Sequence, residues 1–151
     1  MKLQSRKKLG KTQWRWGDRG PFYKSRAQAN QKAIKSLKLE CDKLWSLLIR
    51  SNGKCEICGT TQNLQAHHMI TRARLSTRWM EENGVCLCSD HHNFNNDISA
   101  HNATIPFAKW YEEEYGPERY YWLLKESKKH LKLTVEYMLK LRDDLNAALN
   151  R

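Results

Sequence analysis

The first regular pattern along the chain is helical. Residues 1–32 show no sustained apolar period, whereas residues 33–50 repeat apolar side chains at helical spacing. The turn-forming sequence Ser51-Asn52-Gly53 then ends the pattern. We therefore predict a flexible arm over residues 1–32 and a helix over residues 33–50. The apolar face of this helix consists of Leu37, Cys41, Leu44, Trp45 and Leu48.

A different pattern follows this helix. Residues 63–70 and 85–87 are short, turn-bounded apolar stretches, and we predict that they are strands that pair as a hairpin. After Ser89, a candidate helix cap, residues 90–97 predict a short helix. The middle of the chain is therefore predicted to be a hairpin followed by one short helix.

The last third of the chain is predicted to be helical. One helix runs from Pro106 to Tyr115 and ends at Gly116, and Pro117 opens the next. A final helix is capped by Thr134 and has apolar residues at three-four spacing. This helix either packs on the core or forms a dimer seam or other protein contact, and the sequence leaves both open.

The positive charge is concentrated near the N-terminus. The net charge is +11, of which residues 1–54 contribute +12 and residues 55–151 contribute −1. Such asymmetry is typical of an arm that binds a polyanion, since each Lys or Arg that neutralises a phosphate releases a counterion. A basic tail that only aids solubility is the alternative. Within the arm, Trp14, Arg15 and Trp16 either stack on nucleic-acid bases or cover apolar surface of the domain.

The composition argues against a membrane or secreted protein. Apolar runs are a few residues long, far short of the roughly 20 that a membrane-spanning helix needs. No apolar stretch follows the basic N-terminus, so a secretory signal is not expected. We expect a soluble protein of the cytoplasm.

The cysteines point to metal binding. Five cysteines in a chain with no export signal favour metal ligation over disulfides. Cys55-x-x-Cys58 and Cys88-x-x-His91 have the two-residue gap that lets both side chains reach one tetrahedral ion. Two such pairs flanking a predicted hairpin predict a structural zinc site. The alternative is that they are reduced core thiols, as Cys41 on its helix is expected to be.

The histidines are paired as well. His67-His68 ends the first predicted strand, and His91-His92 opens the short helix. On that helix, His91 and His92 diverge by about 100 degrees, so one can bind zinc while the other faces a second site. Asn96, four residues after His92, would share that second face.

The segment from Cys55 to Asn96 resembles the motif of HNH endonucleases, the ββα-metal or His-Me finger superfamily. It has Cys-x-x-Cys-Gly, a strand ending in His-His, an Asn, and then Leu-Cys-x-x-His-His. The three residues that name the family fall on His68, Asn83 and His92. His91 stands where many zinc-bearing members have Cys, and Asn96 stands where relatives often have His.

The resemblance implies a role for each motif residue. His67, His92 and Asn96 would hold a divalent cation such as Mg²⁺, Mn²⁺ or Ni²⁺ against the scissile phosphate. His68 would be the general base, and Asn83 would tie the connecting loop to the strand. The loop arginines are candidates for phosphate contacts, with a solvated basic loop as the simpler interpretation. They are Arg72, Arg74 and Arg78.

These expectations combine into one fold and one function. The fold would be α+β, with a ββα-metal core over residues 33–104, a Cys3His zinc knuckle, and a helical extension over residues 105–151. The function would be metal-dependent cleavage of double-stranded DNA in a phage, plasmid or bacterial context. The main rival is a zinc-stabilised nucleic-acid-binding module without catalysis, and the weaker one is a protein-interaction domain.

Overall fold

A computed structural model describes residues 21–151 as four helices around a two-stranded antiparallel hairpin. The fold class is therefore α+β, as predicted. Trp14, Arg15, Trp16 and the rest of the arm up to residue 20 lie outside the described residues. The elements are α1 (Pro21–Arg50), β1 (Leu64–His68), β2 (Gly84–Cys88), α2 (Thr104–Tyr115), α3 (Pro117–Ser127) and α4 (Val135–Leu149).

Helix α1 begins at Pro21, earlier than the predicted start at residue 33. Proline is tolerated at the first helical position, where its missing N–H would have no intrahelical partner. Residues 27–32 are good helix formers, apart from Asn30, and extend the helix without burying a face. Periodicity detects only the part of a helix that packs on a core, so it missed this exposed first section.

The hairpin lies between two helical layers. Its strands pair from Leu64 opposite Cys88 to His68 opposite Gly84. On one face, Cys86 packs in a cluster with residues of α1 and α4. On the other face, the buried side chains of β2 meet α2. The second cluster includes Val85, Leu87, Phe107 and Tyr111.

Helix α4 packs against α1, which decides one of the alternatives left open by the sequence. Its buried residues Met138 and Leu145 join the cluster that contains Cys41 and Trp45 of α1. The predicted cap is confirmed, since the Thr134 hydroxyl accepts a hydrogen bond from the Tyr137 backbone N–H at 3.1 Å. Within residues 21–151, no helix has the length and apolar character needed to cross a membrane.

The short helix after β2 differs from its prediction. It is a π-helical turn over Asp90–Phe94 rather than a helix over 90–97, and the Ser89 hydroxyl makes no capping hydrogen bond. The Asn95 N–H donates to the Asp90 carbonyl at 2.9 Å, five residues back, which closes the wide turn. The Asn95 side chain then accepts from the backbone N–H groups of Asp97 and Ile98, both at 2.9 Å. Because the Asn95 side chain takes the N–H groups that a continuing helix would bond to backbone carbonyls, the helix ends here.

Candidate metal and active site

Two groups of side chains that could hold a metal ion lie at the hairpin. The first, which we call the Cys3His cluster, consists of Cys55, Cys58, Cys88 and His91, whose ligand atoms lie within 4.8 Å of one another. The Sγ atoms of Cys58 and Cys88 are 3.9 Å apart. His91 Nδ1 lies 3.2 Å from Cys88 Sγ and 3.7 Å from Cys55 Sγ. All four residues are those predicted from the two spacings.

A tight turn brings the first two cysteines together. Gly59 has a φ of +74°, which is favourable only for glycine, and its N–H donates to the Cys55 carbonyl at 2.8 Å. The Cys55 N–H donates to the Thr60 carbonyl at 2.7 Å. Glu56 fastens this turn to β2, because its carboxylate accepts from the Cys86 N–H at 2.7 Å. The turn therefore holds its sulfur atoms against the end of the hairpin.

The thiols of the chain differ in electrostatic environment. Burial raises the pKa of Cys55, but hydrogen bonds from the backbones of Cys58 and Cys88 outweigh it and lower the pKa below its ordinary value. Burial instead raises the pKa of Cys41 and of Cys86 to about 11. Burial also raises the pKa of Cys88, so the direction of the shift does not by itself separate ligands from core thiols. Cys41 and Cys86 are core thiols because both are fully buried in the cluster that α1 forms with α4, apart from the Cys3His cluster.

The second group is a set of three histidines. Ligand atoms of His67 on β1, His92 on the π-helical turn and His101 before α2 lie within 4.8 Å of one another. The ring centroids are 4.9 Å to 5.3 Å apart. With His68 they line a cavity of about 570 Å³, which we call the histidine cavity.

Two of these rings are held neutral, and one of them is also oriented by a hydrogen bond. Burial, followed by the nearby His92 and His101, lowers the pKa of His67 to about 3. Burial and the neighbouring His101 also lower the pKa of His92. The Nδ1–H of His92 donates to the Gln65 side-chain oxygen, which leaves Nε2 with a free lone pair. A hydrogen bond of this kind orients a histidine that binds a metal.

His101 takes the place predicted for Asn96. The π-helical turn ends at Phe94, so Asn96 is not one helical turn beyond His92 and does not share its face. Asn96 is exposed, and its Oδ1 accepts from the Asn102 side chain at 2.7 Å. The structure therefore brings His101, and not the predicted Asn96, into the group that could hold a metal ion. The sequence does contain a signal for this residue, because His101 is a further histidine in the polar stretch that follows His91 and His92.

His68 lies beside this group in different surroundings. Its Nε2 is 2.9 Å from the Arg78 carbonyl oxygen, so that nitrogen carries the proton and Nδ1 is the free base. The ring stacks on Trp45 of α1, with centroids 3.8 Å apart and planes inclined by 16°. Burial lowers the pKa of His68. The imidazole is thus neutral, with its tautomer and orientation both fixed.

Asn83 joins the loop between the strands to the start of β2. It is fully buried, and its Oδ1 accepts from the Ile70 N–H at 2.6 Å. Its Nδ2 donates to the carbonyl oxygens of Ile70 at 2.9 Å and Thr77 at 3.0 Å. These bonds fix the loop that carries the Arg78 carbonyl.

The three loop arginines are in different situations. Arg78 forms a bidentate pair with Asp42 of α1, at 2.7 Å and 2.8 Å, and its Nη1 donates to the Arg72 carbonyl at 2.7 Å. Its guanidinium is therefore committed within the protein, and the predicted phosphate contact is corrected to a structural role. Arg72 and Arg74 are exposed, and Arg72 lines the histidine cavity.

No known protein family, curated protein or solved structure matches this chain.

Proposed function

We propose that this protein is a divalent-metal-dependent DNA endonuclease of the HNH type, with a zinc knuckle beside a ββα-metal site. The observation that carries the proposal is the histidine cavity. Three histidines, His67, His92 and His101, converge there. A fourth, His68, is held by a hydrogen bond that leaves one of its ring nitrogens free. A binding module would need zinc ligands alone and gains nothing from this second group.

The Cys3His cluster fits zinc. A tetrahedral ion with ligand bonds of about 2.3 Å has ligand-to-ligand edges of roughly 3.8 Å. The separations of 3.9 Å, 3.7 Å and 3.2 Å between its ligand atoms are close to this value. Three sulfurs and one imidazole form a set of donors that binds zinc in preference to magnesium or calcium. In the proposal this site is closed and structural.

The histidine cavity fits a second, more open divalent-ion site. His67, His92 and His101 would hold the ion through imidazole nitrogens, and the remaining positions would face the cavity. When bound, the ion would stabilise the charge that develops on the scissile phosphate and the leaving oxygen. Imidazole ligands suit Mn²⁺ or Ni²⁺, and Mg²⁺ would keep several waters at such a site.

His68 would act as the general base. The Arg78 carbonyl holds the proton on Nε2, so Nδ1 is free to take a proton from the attacking water. Stacking on Trp45 prevents the ring from turning away. Asn83 supports this arrangement by fixing the loop that supplies the carbonyl. Arg72, at the cavity wall, would contact the phosphate backbone.

The test is cleavage of supercoiled plasmid by the wild-type protein and by His68→Ala, each with Mg²⁺, with Mn²⁺ and with chelator. We expect metal-dependent nicking or linearisation by the wild type and a loss of about 100-fold or more in the variant, the usual range for a general base. His130→Ala is the matched control, because His130 is exposed and lies outside the cavity. DNA binding without cleavage under every metal condition would instead support the non-catalytic binding module.

A further inference from the structure

Helix α1 carries a row of positive charge that the proposed cleavage chemistry does not use. Between Pro21 and Leu39 the helix has five Lys or Arg residues and no Asp or Glu. Residues 25–32 are all exposed, so this part of the helix extends beyond the core. Within the part of the chain that the structure describes, no ion pair involves Arg26, Lys32, Lys35 or Lys38.

Two of these lysines lie on the side of α1 that faces the loop between β1 and β2, which carries Arg78. Lys38 is one helical turn and Lys35 two turns before Asp42, so the three share a face. Lys35 and Lys38 line a groove of about 320 Å³ together with Asp42 and Arg78. The Asp42 carboxylate is neutralised there by its bidentate pair with Arg78. The groove therefore presents net positive charge.

The loop between the strands lines both this groove and the histidine cavity. Arg78 lines the groove and donates to the Arg72 carbonyl at 2.7 Å, and Arg72 lines the histidine cavity. From Ser25 to Asp42 the helix spans roughly 25 Å, at 1.5 Å per residue. A duplex presents a phosphate charge about every 1.7 Å of its axis, so a length of several base pairs fits along this face.

We propose that the exposed face of α1 binds the phosphate backbone of the DNA duplex and leads it to the histidine cavity, an inference that rests on the proposed endonuclease function. Lys35 and Lys38 are its principal contacts, and Lys32, three residues before Lys35, extends it. Gln28 and Gln31 place amide groups beside the lysines, which suits hydrogen bonds to phosphate oxygens. The exposed stretch 25–32 has no large apolar side chain to insert into a lipid surface, which favours DNA over a membrane.

The test measures how DNA affinity depends on salt. A fluorescent 30-base-pair duplex is titrated with zinc-loaded protein at several KCl concentrations, without added magnesium, and anisotropy reports binding. The test variant is Lys35→Gln/Lys38→Gln. The matched control is Lys125→Gln/Lys128→Gln, which removes the same charge at the same spacing from exposed positions at the end of α3. The same proteins are also tested on vesicles containing phosphatidylserine.

We expect the α1 variant to bind several-fold more weakly. Its plot of log affinity against log salt should be shallower by about two, because each lost phosphate contact reduces the slope by about 0.9. The α3 control should keep the wild-type slope. Equal effects of both variants on the slope would overturn the inference. So would a loss in the α1 variant confined to the vesicles.

The inference and the proposed function fail in different ways. A wild-type protein that cuts plasmid but whose α1 variant keeps the wild-type slope would overturn the α1 face and leave the nuclease standing. A wild-type protein that binds DNA through Lys35 and Lys38 but never cuts it would support the α1 face and overturn the nuclease.

Discussion

At the scale of single residues, the adjacent histidines of β1 lie in two different environments. Successive side chains of a strand point to opposite faces, so His67 and His68 meet different neighbours. His67 packs against His92 and His101, whereas His68 stacks on Trp45. In the proposed function, the hairpin would direct one imidazole towards a metal and hold the other beside it as a base.

The third ligand of the histidine cavity is open to a direct test. We expect His101→Ala to weaken Mn²⁺ or Co²⁺ binding by at least about tenfold, which is what loss of even one supporting partner of a metal ligand costs. Asn96→Ala should leave the affinity within twofold, because Asn96 is bonded to Asn102 outside the cavity. Isothermal titration and the visible spectrum of bound Co²⁺ would measure both.

The Cys3His cluster provides the control for that experiment. Both variants should keep their tightly bound zinc, because neither residue belongs to that cluster. If Asn96→Ala lost the weakly bound ion and His101→Ala kept it, the ligand set derived from the sequence would be right and the one drawn from the geometry wrong.

Residues at short spacing could be predicted from the sequence, and remote ones could not. The four residues of the Cys3His cluster could be predicted because each pair sits within one local turn. His101 was missed because a π-helical turn and an irregular loop separate it from His92, and no regular period relates them. Asp42 and Trp45 were missed as supports of the site because they contact residues 35 to 37 positions away, which only the fold brings together.

At the scale of elements, α1 and the loop between the strands form one unit. Trp45 Nε1 donates to the Met80 carbonyl and Trp79 Nε1 donates to the Asp42 carboxylate, both at 2.8 Å. Burial raises the pKa of Asp42, but the hydrogen bonds from Arg78 and Trp79 outweigh it, so the pKa lies below its ordinary value. The carboxylate stays ionised and keeps the loop against the helix.

Removal of the Asn83 amide should loosen that loop. Asn83→Ala leaves the N–H and the carbonyl of Ile70 without partners in a buried position, and the Thr77 carbonyl keeps only its bond from the Met80 N–H. We expect the free energy of unfolding to fall by about 3 kcal/mol, since each unsatisfied buried group costs about 1–3 kcal/mol. Urea denaturation followed by circular dichroism measures this loss.

An exposed asparagine provides the comparison for Asn83. Asn146→Ala on α4 changes the same atoms at an exposed position and should stay within about 0.5 kcal/mol of the wild type. A similar loss in both variants would mean that the buried bonds of Asn83 contribute nothing particular to stability.

Close contact between α1 and the start of β2 depends on Gly84. A Cβ at this position would overlap the Ile49 side chain and press on Trp45, although the backbone itself, with φ −99° and ψ 145°, suits any residue. We expect Gly84→Ala to lower the free energy of unfolding by about 1–3 kcal/mol through overpacking. Because the cause is steric, the loss should shrink when Ile49 is shortened.

A double-mutant cycle tests that cause. Ile49→Ala alone should cost about 2–5 kcal/mol by leaving a cavity, and Gly84→Ala/Ile49→Ala should cost less than the sum of the two single changes. Strictly additive losses would show that Gly84 is required for a reason other than contact with Ile49.

At the scale of the whole molecule, the two groups of candidate ligands lie at different positions along the hairpin and are joined through the turn that follows β2. The Cys3His cluster lies at the end where Leu64 pairs with Cys88, and His67 of the second group lies three residues further along β1, opposite Val85. Three residues of a strand span about 10 Å, at 3.3 Å per residue. The π-helical turn links the groups, because His91 belongs to the first and its neighbour His92 to the second.

This arrangement predicts that the two metals are lost in order and with unequal consequences. Removal of the ion in the histidine cavity should abolish cleavage without unfolding, since its ligands are positioned by β1 and hydrogen bonds such as the one from His92 to Gln65. Removal of zinc should unfold the domain, because two of the ligands lie in an irregular loop that the metal fastens to β2.

Chelator is titrated while plasmid cleavage, far-ultraviolet circular dichroism and zinc release to a colorimetric dye are measured on the same samples. Cleavage should fall at the lower chelator concentration and be restored by added Mn²⁺, and ellipticity should fall only as zinc is released. Simultaneous loss of cleavage, ellipticity and zinc at one concentration would mean that a single metal serves both purposes, and the separation of structural and catalytic sites would then be wrong.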